Sequence, residues 1–547
     1  MSFRLVECLL LCGLAAPSRL NGQDSVATTV AELITTARVP WARWPDFPRY
    51  VDDVNLLYQG NGGRAIWHEG AQVSPKGIGA IKILFTAADH GLDPRDYDAE
   101  LLDRLARRPG LAPLGSADRA RFDVLLSANL FRFVDDLRSG RLHRHLLLSG
   151  GAGEPPFDLA AAVTGALTGD SLPQLVAAVT PHLAQYRNLQ RVLSRYRQLA
   201  RDTLLRLGPE SRTIMPGDTY PDAAALRRVL SGTGDLEGLA GFSTSPVYDL
   251  SDVEAVRRFQ SRHGLQSTGV IDTATVTELR VPLTRRVRQI ELALERLRWL
   301  PHIGPQPFLV VNIPAFQLFA FDSVGGTGAP ALAMRVIVGK ALDKQTPVLL
   351  EMMRYVEFRP SWNVPRSILL EEIIPVLKAD PGYLRRNNMD IVGPRDRIVE
   401  TLPTEQLLDQ LTRGELRLRQ RPGAGNPLGL TKFVFPNAAN VYLHGTPQAD
   451  LFARTRRDFS HGCVRVEDPV ALAVWVLRDQ QHWPVDSVLA AQRGTATTRA
   501  FLTQPIPIII FYTSAVATPD GRVSFYRDIY GHDRKLEEAL RAGPTPP

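Results

Sequence analysis

Cysteine is scarce in this chain of 547 residues, which contains three: Cys8, Cys12 and Cys463. Cys8 and Cys12 lie in an N-terminal stretch with the pattern of an export signal, which is removed from a mature protein. The remaining thiol then has no partner for an internal disulfide, so a disulfide framework is excluded. A free thiol in an oxidising compartment is either a liability or a nucleophile. We favour the nucleophile because Cys463 stands among glycine and histidine residues.

Long apolar runs are also absent beyond the N-terminal stretch. The most apolar later segment, 505–511, has the length of a strand, whereas a membrane helix needs about 20 apolar residues. The sequence therefore predicts no transmembrane span.

Interleaved aromatic and basic residues are missing as well, and no zinc-knuckle spacing occurs. The formal net charge is +7 and the pI is about 9.4, but the arginines are scattered with acidic residues among them. We therefore expect no nucleic-acid partner. The positive charge suits an anionic polymer such as a cell wall, or is an ordinary solvated surface.

Residues 1–24 follow the three-part pattern of a secretory signal, with Arg4 before a mainly apolar run at 5–16 that is too short to span a bilayer. Glu7 interrupts the run and no clean A-x-A site follows it, so the alternative is a frayed N-terminal helix of a cytosolic protein. A lipoprotein linked through Cys12 is disfavoured, since Leu11 stands where a small residue is needed. We expect an exported protein of the periplasm or cell envelope.

The periodicity of the remaining chain predicts a multidomain α+β fold. Residues 25–215 read as a helical scaffold, 222–280 as a compact three-helix bundle and 281–304 as a linking helix. Residues 305–547 read as a mostly antiparallel sheet that contains a polar, more helical insert at about 366–420.

The middle helix of the bundle is predicted at 251–260, with Ser251 as its N-cap and Glu254 completing a capping box. From Ala255 the pattern A-V-x-x-F-Q-x-x-x-G-L-x-x-x-G-x-I-D-x-x-T resembles the peptidoglycan-binding domain 1 family. The resemblance implies a glycan-binding bundle. The alternative is a bundle that only packs domains together.

Thiol catalysis needs a thiolate, a base and fixed N–H donors for the oxyanion. Cys463 precedes a predicted helix at 468–477, and the positive end of a helix dipole would lower the pKa of a nearby thiol. Gly462 lets the backbone turn sharply, so the amides of Gly462 and Cys463, with that of His461, are candidates for an oxyanion hole.

His444 is the candidate base because it ends a predicted strand and can reach the thiol across a cleft, whereas His461 is too close in sequence. An oriented imidazole needs an acceptor on its far nitrogen. No Asp or Asn stands out for that role, so the main-chain carbonyl of Gly445 is the simplest candidate.

The segment 444–446 (HGT) followed by 460–466 (SHGCVRV) resembles the catalytic motif of the YkuD-type L,D-transpeptidases. Further stretches resemble the large periplasmic YcbB-like branch of that family, namely 335–339, 362–365, 426–429, 432–437, 442–444, 520–523 and 528–531. The resemblance covers nearly the whole chain, with a scaffold, a binding bundle and a capping insert. One departure is Gly445, where that branch often carries Asp.

The resemblance implies that Cys463 is acylated by a tetrapeptide stem of peptidoglycan, with release of D-Ala, and that an amine of a second stem resolves the thioester into a 3-3 crosslink. It also implies a role in cell wall biogenesis and cell shape, no cofactor, and covalent inhibition by carbapenems.

Substrate contacts are expected at the motif residues Ser460 and Arg465 and at the aromatic residues Tyr442 and Trp362. Arg465 would pair with a substrate carboxylate, while Tyr442 and Trp362 would wall the cleft. The alternatives are that Arg465 pairs with Glu467 or Asp468 and that both aromatic residues belong to the core.

Three rival functions remain open at the level of sequence. His444, His461 and Cys463 are metal-ligand types, but a structural zinc site wants four ligands, so we expect no metal. Water in place of the amine would make the same site an L,D-carboxypeptidase or endopeptidase. The third rival is a cell-wall-binding scaffold without catalytic activity.

Overall fold

The computed structural model describes residues 22–107, 115–142, 157–202, 212–238, 243–301, 303–304, 306–323, 329–400, 403–480 and 482–543. The predicted export signal lies outside the described residues except for its last three, which begin the first helix. No helix in these ranges combines the length and the apolar character that crossing a membrane requires.

The N-terminal region is helical, as predicted, and has one short hairpin. Its elements are α1 (Gly22–Thr36), α2 (Val51–Gly60), β1 (His68–Glu69), β2 (Gln72–Val73), α3 (Pro75–Phe85), α4 (Ala99–Arg107), α5 (Ser116–Ser139), α6 (Leu159–Thr168), α7 (Leu172–Val179) and α8 (Ala184–Leu199). The long helix α5 is buried on nearly all sides and forms the centre of this core.

The three-helix bundle consists of α9 (Ala223–Thr233), α10 (Leu250–Arg262) and α11 (Thr273–Leu279) around its own small core. The capping box of α10 lies two residues before the predicted one. Asp249 is the N-cap and Asp252 completes the box, so the prediction of Ser251 and Glu254 was wrong. Asp252 is buried beside Arg227, with Nη2 and Oδ2 2.7 Å apart, and this ion pair favours the earlier start.

Helix α12 (Leu283–Leu297) follows and ends before Pro301. Ile290, Leu294 and Leu297 are buried between α8 and the C-terminal part of the chain. This helix therefore belongs to a shared core rather than forming an exposed connection.

The second half of the chain is built on a mixed, mostly antiparallel sheet, which confirms the predicted α+β class. It begins with β3 (Phe308–Asn312), β4 (Gln317–Phe321), β5 (Leu332–Gly339) and β6 (Leu349–Phe358).

The capping insert follows β6 and is less purely helical than predicted, because it has its own four-stranded sheet in the order β7-β10-β8-β9. Its elements are β7 (Trp362–Asn363), α13 (Arg366–Ile368), a π-helical turn (Leu369–Ile373), α14 (Ile374–Ala379), α15 (Tyr383–Arg386), β8 (Met389–Val392), β9 (Ile398–Glu400), α16 (Glu405–Arg413) and β10 (Arg417–Gln420). A separate hydrophobic cluster holds it together.

The chain then returns to the main sheet and ends with a hairpin and a helix. These elements are β11 (Thr431–Val434), β12 (Leu443–His444), β13 (Asp458–Ser460), β14 (Val464–Val466), α17 (Pro469–Leu477), α18 (Val485–Arg493), β15 (Thr498–Phe511), β16 (Ala515–Ala517), β17 (Val523–Phe525) and α19 (His532–Arg541).

The main sheet has the strand order β13-β5-β14-β12-β11-β6-β15-β3-β4, and an additional β4–β5 pairing closes it on itself. Strand β12 pairs in parallel with β14, with Leu443 opposite Val464 and His444 opposite Arg465. This register places the residue before β14, Cys463, beside the residue before β12, Tyr442.

Candidate active site

Cys463 lies in the tight loop between β13 and β14. Gly462, just before it, has φ +116°, a backbone conformation that side chains with a Cβ rarely adopt. Thr346, which is fully buried, donates its hydroxyl to the carbonyl of Gly462 at 2.8 Å and accepts the N–H of Gly339 at 2.8 Å. The hydroxyl of Tyr530 donates to the carbonyl of Gly339 at 2.6 Å. Thr346 and Tyr530 therefore hold the cysteine loop against the end of β5.

The loop is also fixed from within by Ser460. Its hydroxyl donates to the carbonyl of Cys463 at 2.5 Å and accepts the N–H of Gly462 at 3.2 Å. Ser460 is 2% exposed and its hydroxyl is engaged in holding the loop, while its predicted substrate contact stays a prediction. The amide of Gly462 is likewise engaged and is not a free oxyanion donor. The backbone N–H of Cys463 has no hydrogen bond among the described residues.

His444 is buried at the end of β12, on the strand next to the thiol. Its Nδ1 lies 2.6 Å from the carbonyl oxygen of Gly445, the acceptor expected from the sequence. If Nδ1–H donates to this carbonyl, Nε2 is left as the acceptor. Burial, with the charge of Arg465 next, lowers the pKa of His444 to about 3, so the imidazole is neutral at physiological pH.

Burial raises the pKa of the Cys463 thiol, opposite to the expectation from the helix dipole. The dipole of α17 does not offset this rise because β14 separates Cys463 from that helix. Asp468 also caps α17 by accepting the N–H of Ala471 at 2.8 Å. Hydrogen bonds with the backbone and side chain of Tyr442 lower the thiol pKa in part, as do the charges of Lys432 and Arg465.

Tyr442 lies where the main core meets the core of the insert. Its ring makes an edge contact with the His444 ring, with centroids 5.7 Å apart. The ammonium of Lys432, a residue of β11, lies 3.9 Å from the centroid of the Tyr442 ring. Sequence analysis assigned no role to Lys432. Only the strand register, which sets Lys432 opposite His444, brings it to the site.

Arg465 points toward the site and not toward Glu467 or Asp468. Its Nη1 donates to Gln448 at 2.6 Å, and its Nε is buried without a hydrogen-bond partner. Glu467 pairs instead with Arg335. The guanidinium therefore retains donor capacity for an anionic ligand.

Trp362 is 9% exposed and belongs to the core of the insert. Its position matches the alternative of a core residue. His461 reaches the insert through its Nε2, which lies 2.5 Å from Oε1 of Glu372 in the π-helical turn. Lys344 pairs with Glu371 of the same turn at 3.0 Å. These contacts join the cysteine loop to the insert, and sequence reasoning missed them.

In the ranges that the structure describes, no group of three or more His, Cys, Asp or Glu side chains, His444, His461 and Cys463 included, is placed to hold a metal ion.

Comparison with known protein families gives three matches along the chain. Residues 306–499 match the YkuD model, described as "L,D-transpeptidase catalytic domain", and residues 52–193 match a model described as "Scaffold domain". Residues 219–279 match a model described as "Putative peptidoglycan binding domain".

Among curated proteins, the chain is similar to a "Putative L,D-transpeptidase" of Haemophilus influenzae, with 32% identity over 257 residues. The match covers 46% of this chain and 49% of that protein, so the chain spans about half the length of the relative.

Among solved structures, an L,D-transpeptidase from Stackebrandtia nassauensis overlaps 56% of this chain and 97% of its own, with 12% identity and a TM-score of 0.23. By its family matches, the chain carries a YkuD-type L,D-transpeptidase catalytic domain together with a peptidoglycan-binding domain 1.

Proposed function

We propose that this protein is a peptidoglycan L,D-transpeptidase that forms 3-3 crosslinks through a thioester on Cys463. The observation that supports the proposal is the pairing of β12 with β14, which sets Cys463 beside Tyr442, two residues before a buried, neutral His444 held by the carbonyl of Gly445. Both residues lie within the matched catalytic domain.

In the first half of the reaction, Nε2 of His444 takes the proton of the Cys463 thiol as Sγ attacks the carbonyl carbon of the donor diaminopimelate residue. The free N–H of Cys463 is a donor for the resulting oxyanion. Collapse breaks the bond to D-Ala, and the proton on His444 passes to the departing amine.

In the second half, an amine of a neighbouring stem attacks the thioester and His444 accepts its proton. Collapse breaks the C–S bond, and His444 returns the proton to the departing Sγ of Cys463. Arg465 is suited to attract a stem carboxylate because its half-buried guanidinium has no carboxylate partner among the described residues. Tyr442 lines the approach to the thiol. We place this activity in the periplasm, after export directed by residues 1–24, where it would serve cell wall biogenesis and cell shape.

Two tests separate the proposal from its rivals. Incubation with a carbapenem should add one β-lactam mass to the wild type and none to Cys463→Ala, whereas absence of an adduct on the wild type would favour a non-catalytic scaffold. Digested muropeptides should contain 3-3 dimers. Shortened stems without dimers would instead identify an L,D-carboxypeptidase or endopeptidase that uses water.

A chelator should leave both results unchanged. Loss of acylation on chelation would contradict a mechanism in which the thiol acts without a metal.

A further inference from the structure

A row of charged side chains crosses five neighbouring strands at the level of His444. Lys432 of β11 lies opposite His444 on one side and Glu357 of β6 on the other. His444 lies opposite Arg465 of β14, and Glu357 lies opposite Arg499 of β15. Directly opposite residues of neighbouring strands project from the same face of a sheet, so these side chains share one face.

The carboxylate in this row is already engaged. Nε of Arg499 lies 2.6 Å from Oε2 of Glu357. Lys432 has no carboxylate within ion-pair distance among the described residues, and its ammonium rests on the Tyr442 ring. Hydrogen bonds of Tyr442 meet the thiol of Cys463. The free positive charge of Lys432 is therefore directed, across Tyr442, toward the sulfur.

Arg465, two residues after Cys463 on β14, is a second cation near the sulfur, and its Nη1 is held by Gln448 at 2.6 Å. His461 is paired with Glu372 of the insert. Lys344 is also paired with the insert, through Glu371. Lys432 is thus a half-buried cation near the thiol without an anionic partner of its own.

We propose that Lys432 is a positioning residue that stabilises the thiolate of Cys463 through space, with Arg499 limiting how far Glu357 compensates its charge. When the thiol proton moves to Nε2 of His444, the new negative charge on Sγ is attracted by the ammonium in a partly desolvated site, where charge interactions are stronger than in water. Lys432 itself gains and loses no proton. The catalytic consequence rests on the proposed function, but the effect on the thiol does not.

The test is the pH dependence of iodoacetamide alkylation at Cys463 in the full chain, followed by mass spectrometry of the tryptic peptide 458–465. Lys432→Met should move the midpoint to higher pH and lower the alkylation rate at pH 8 by about tenfold for each pKa unit, with an unchanged plateau above the midpoint. Lys432→Arg should restore most of the wild-type rate.

Glu357→Gln should act in the opposite direction, because it removes the anion beside Lys432, and should raise the rate at pH 8. Lys82→Met, which removes an exposed lysine of α3, is the matched control and should leave the profile unchanged. If Lys432→Met does not fold, the alkylation profiles of Lys432→Arg and Glu357→Gln test the inference instead.

An unmoved midpoint in folded Lys432→Met, or a lower plateau at an unmoved midpoint, would overturn the inference. So would an unmoved midpoint in Glu357→Gln when Lys432→Met cannot be measured. Because alkylation needs no peptidoglycan, a wild type that makes no 3-3 dimers would refute the proposed function and leave this measurement standing.

Discussion

Burial sets the protonation states of the Cys463–His444 pair. A buried site disfavours both the thiolate and the imidazolium, and the pKa of Cys463 is accordingly raised while that of His444 falls to about 3. The resting pair is therefore a thiol beside a neutral imidazole. In the proposed mechanism, charge separation arises only during attack, when the substrate and the loop amide are in place.

This protonation state predicts a flat pH profile for carbapenem acylation between pH 5 and 8. A base with its pKa near 3 stays neutral throughout that range, and a thiol with a raised pKa stays protonated, so the reactive form does not change. The check is the second-order acylation rate constant followed by stopped-flow absorbance. An acid limb with a midpoint near 6.5, the ordinary value for histidine, would contradict it.

For single residues, the sequence predicted chemical roles more readily than it predicted the contacts between side chains. The motif 460–466 and His444 predict the reacting pair, and the lack of a nearby Asp or Asn pointed to the Gly445 carbonyl, which Nδ1 of His444 contacts. The two loop bonds of Ser460 were not foreseen because they depend on the positive φ of Gly462. The position of Lys432 depends on strand register, which no local pattern specifies.

The cysteine loop takes its shape from neighbouring elements as well as from its own residues. Thr346, in the connection between β5 and β6, joins the carbonyl of Gly462 to the N–H of Gly339. A Cβ at Gly339 would collide with the backbone of Lys344 and Thr346, so the two segments are in direct contact. The geometry of the nucleophile is therefore set by β5 and its connection.

We predict that Thr346→Val lowers both stability and acylation, because the near-isosteric change leaves the Gly462 carbonyl and the Gly339 N–H without their buried partner. Loss of such bonds costs about 1–3 kcal/mol per unsatisfied group. The free energy of unfolding in urea and the acylation rate should both fall. Thr277→Val is the control, since its hydroxyl bonds to the helix backbone at an exposed position, and it should change neither.

Elements were predicted with uneven success. Helix α17 and the face of α12 that bears Ile290, Leu294 and Leu297 followed from spacing alone. The sheet of the insert was missed because its strands have two to four residues each. The start of α10 was placed late because Asp249–Asp252 and Ser251–Glu254 both satisfy the capping pattern, and a long-range ion pair with Arg227 favours the first.

At the scale of the whole molecule, two buried arginines that pair with carboxylates join the three-helix bundle and α12 to the C-terminal part of the chain. Arg262 of α10 pairs with Asp235 at 2.5 Å and also donates to the carbonyl of Val523 in β17 at 2.5 Å. Arg296 of α12 pairs with Asp533 of α19 at 2.5 Å. Part of the positive charge noted in the sequence is thus neutralised inside the molecule.

We predict that Asp235→Asn destabilises the contact between the bundle and β17, because it leaves the Arg262 guanidinium buried without its counter-charge. Breaking a buried pair in this way costs about 3–5 kcal/mol. Hydrogen exchange should accelerate in α10 and in β17 together, while the elements α2 to α5 should be unaffected.

The control for this prediction is Asp520→Asn, which removes one partner of the more exposed Asp520–Arg522 pair. Exposed pairs contribute little, so its exchange pattern should match the wild type. Equal effects of the two substitutions would show that Arg262 does not tie the bundle to β17.

The closure of the main sheet has a consequence for the order of assembly. Strand β15 lies between β6 and β3, and 185 residues separate it from β3, the first strand whose edge it covers. During synthesis, β3 and β4 emerge long before the strand that connects them to β6. Pairings between segments so distant in sequence form slowly. The main sheet that carries Cys463 is therefore incomplete until they form. The proposed nucleophile of a polypeptide still crossing a membrane would therefore stay outside its finished site until β15 is in place.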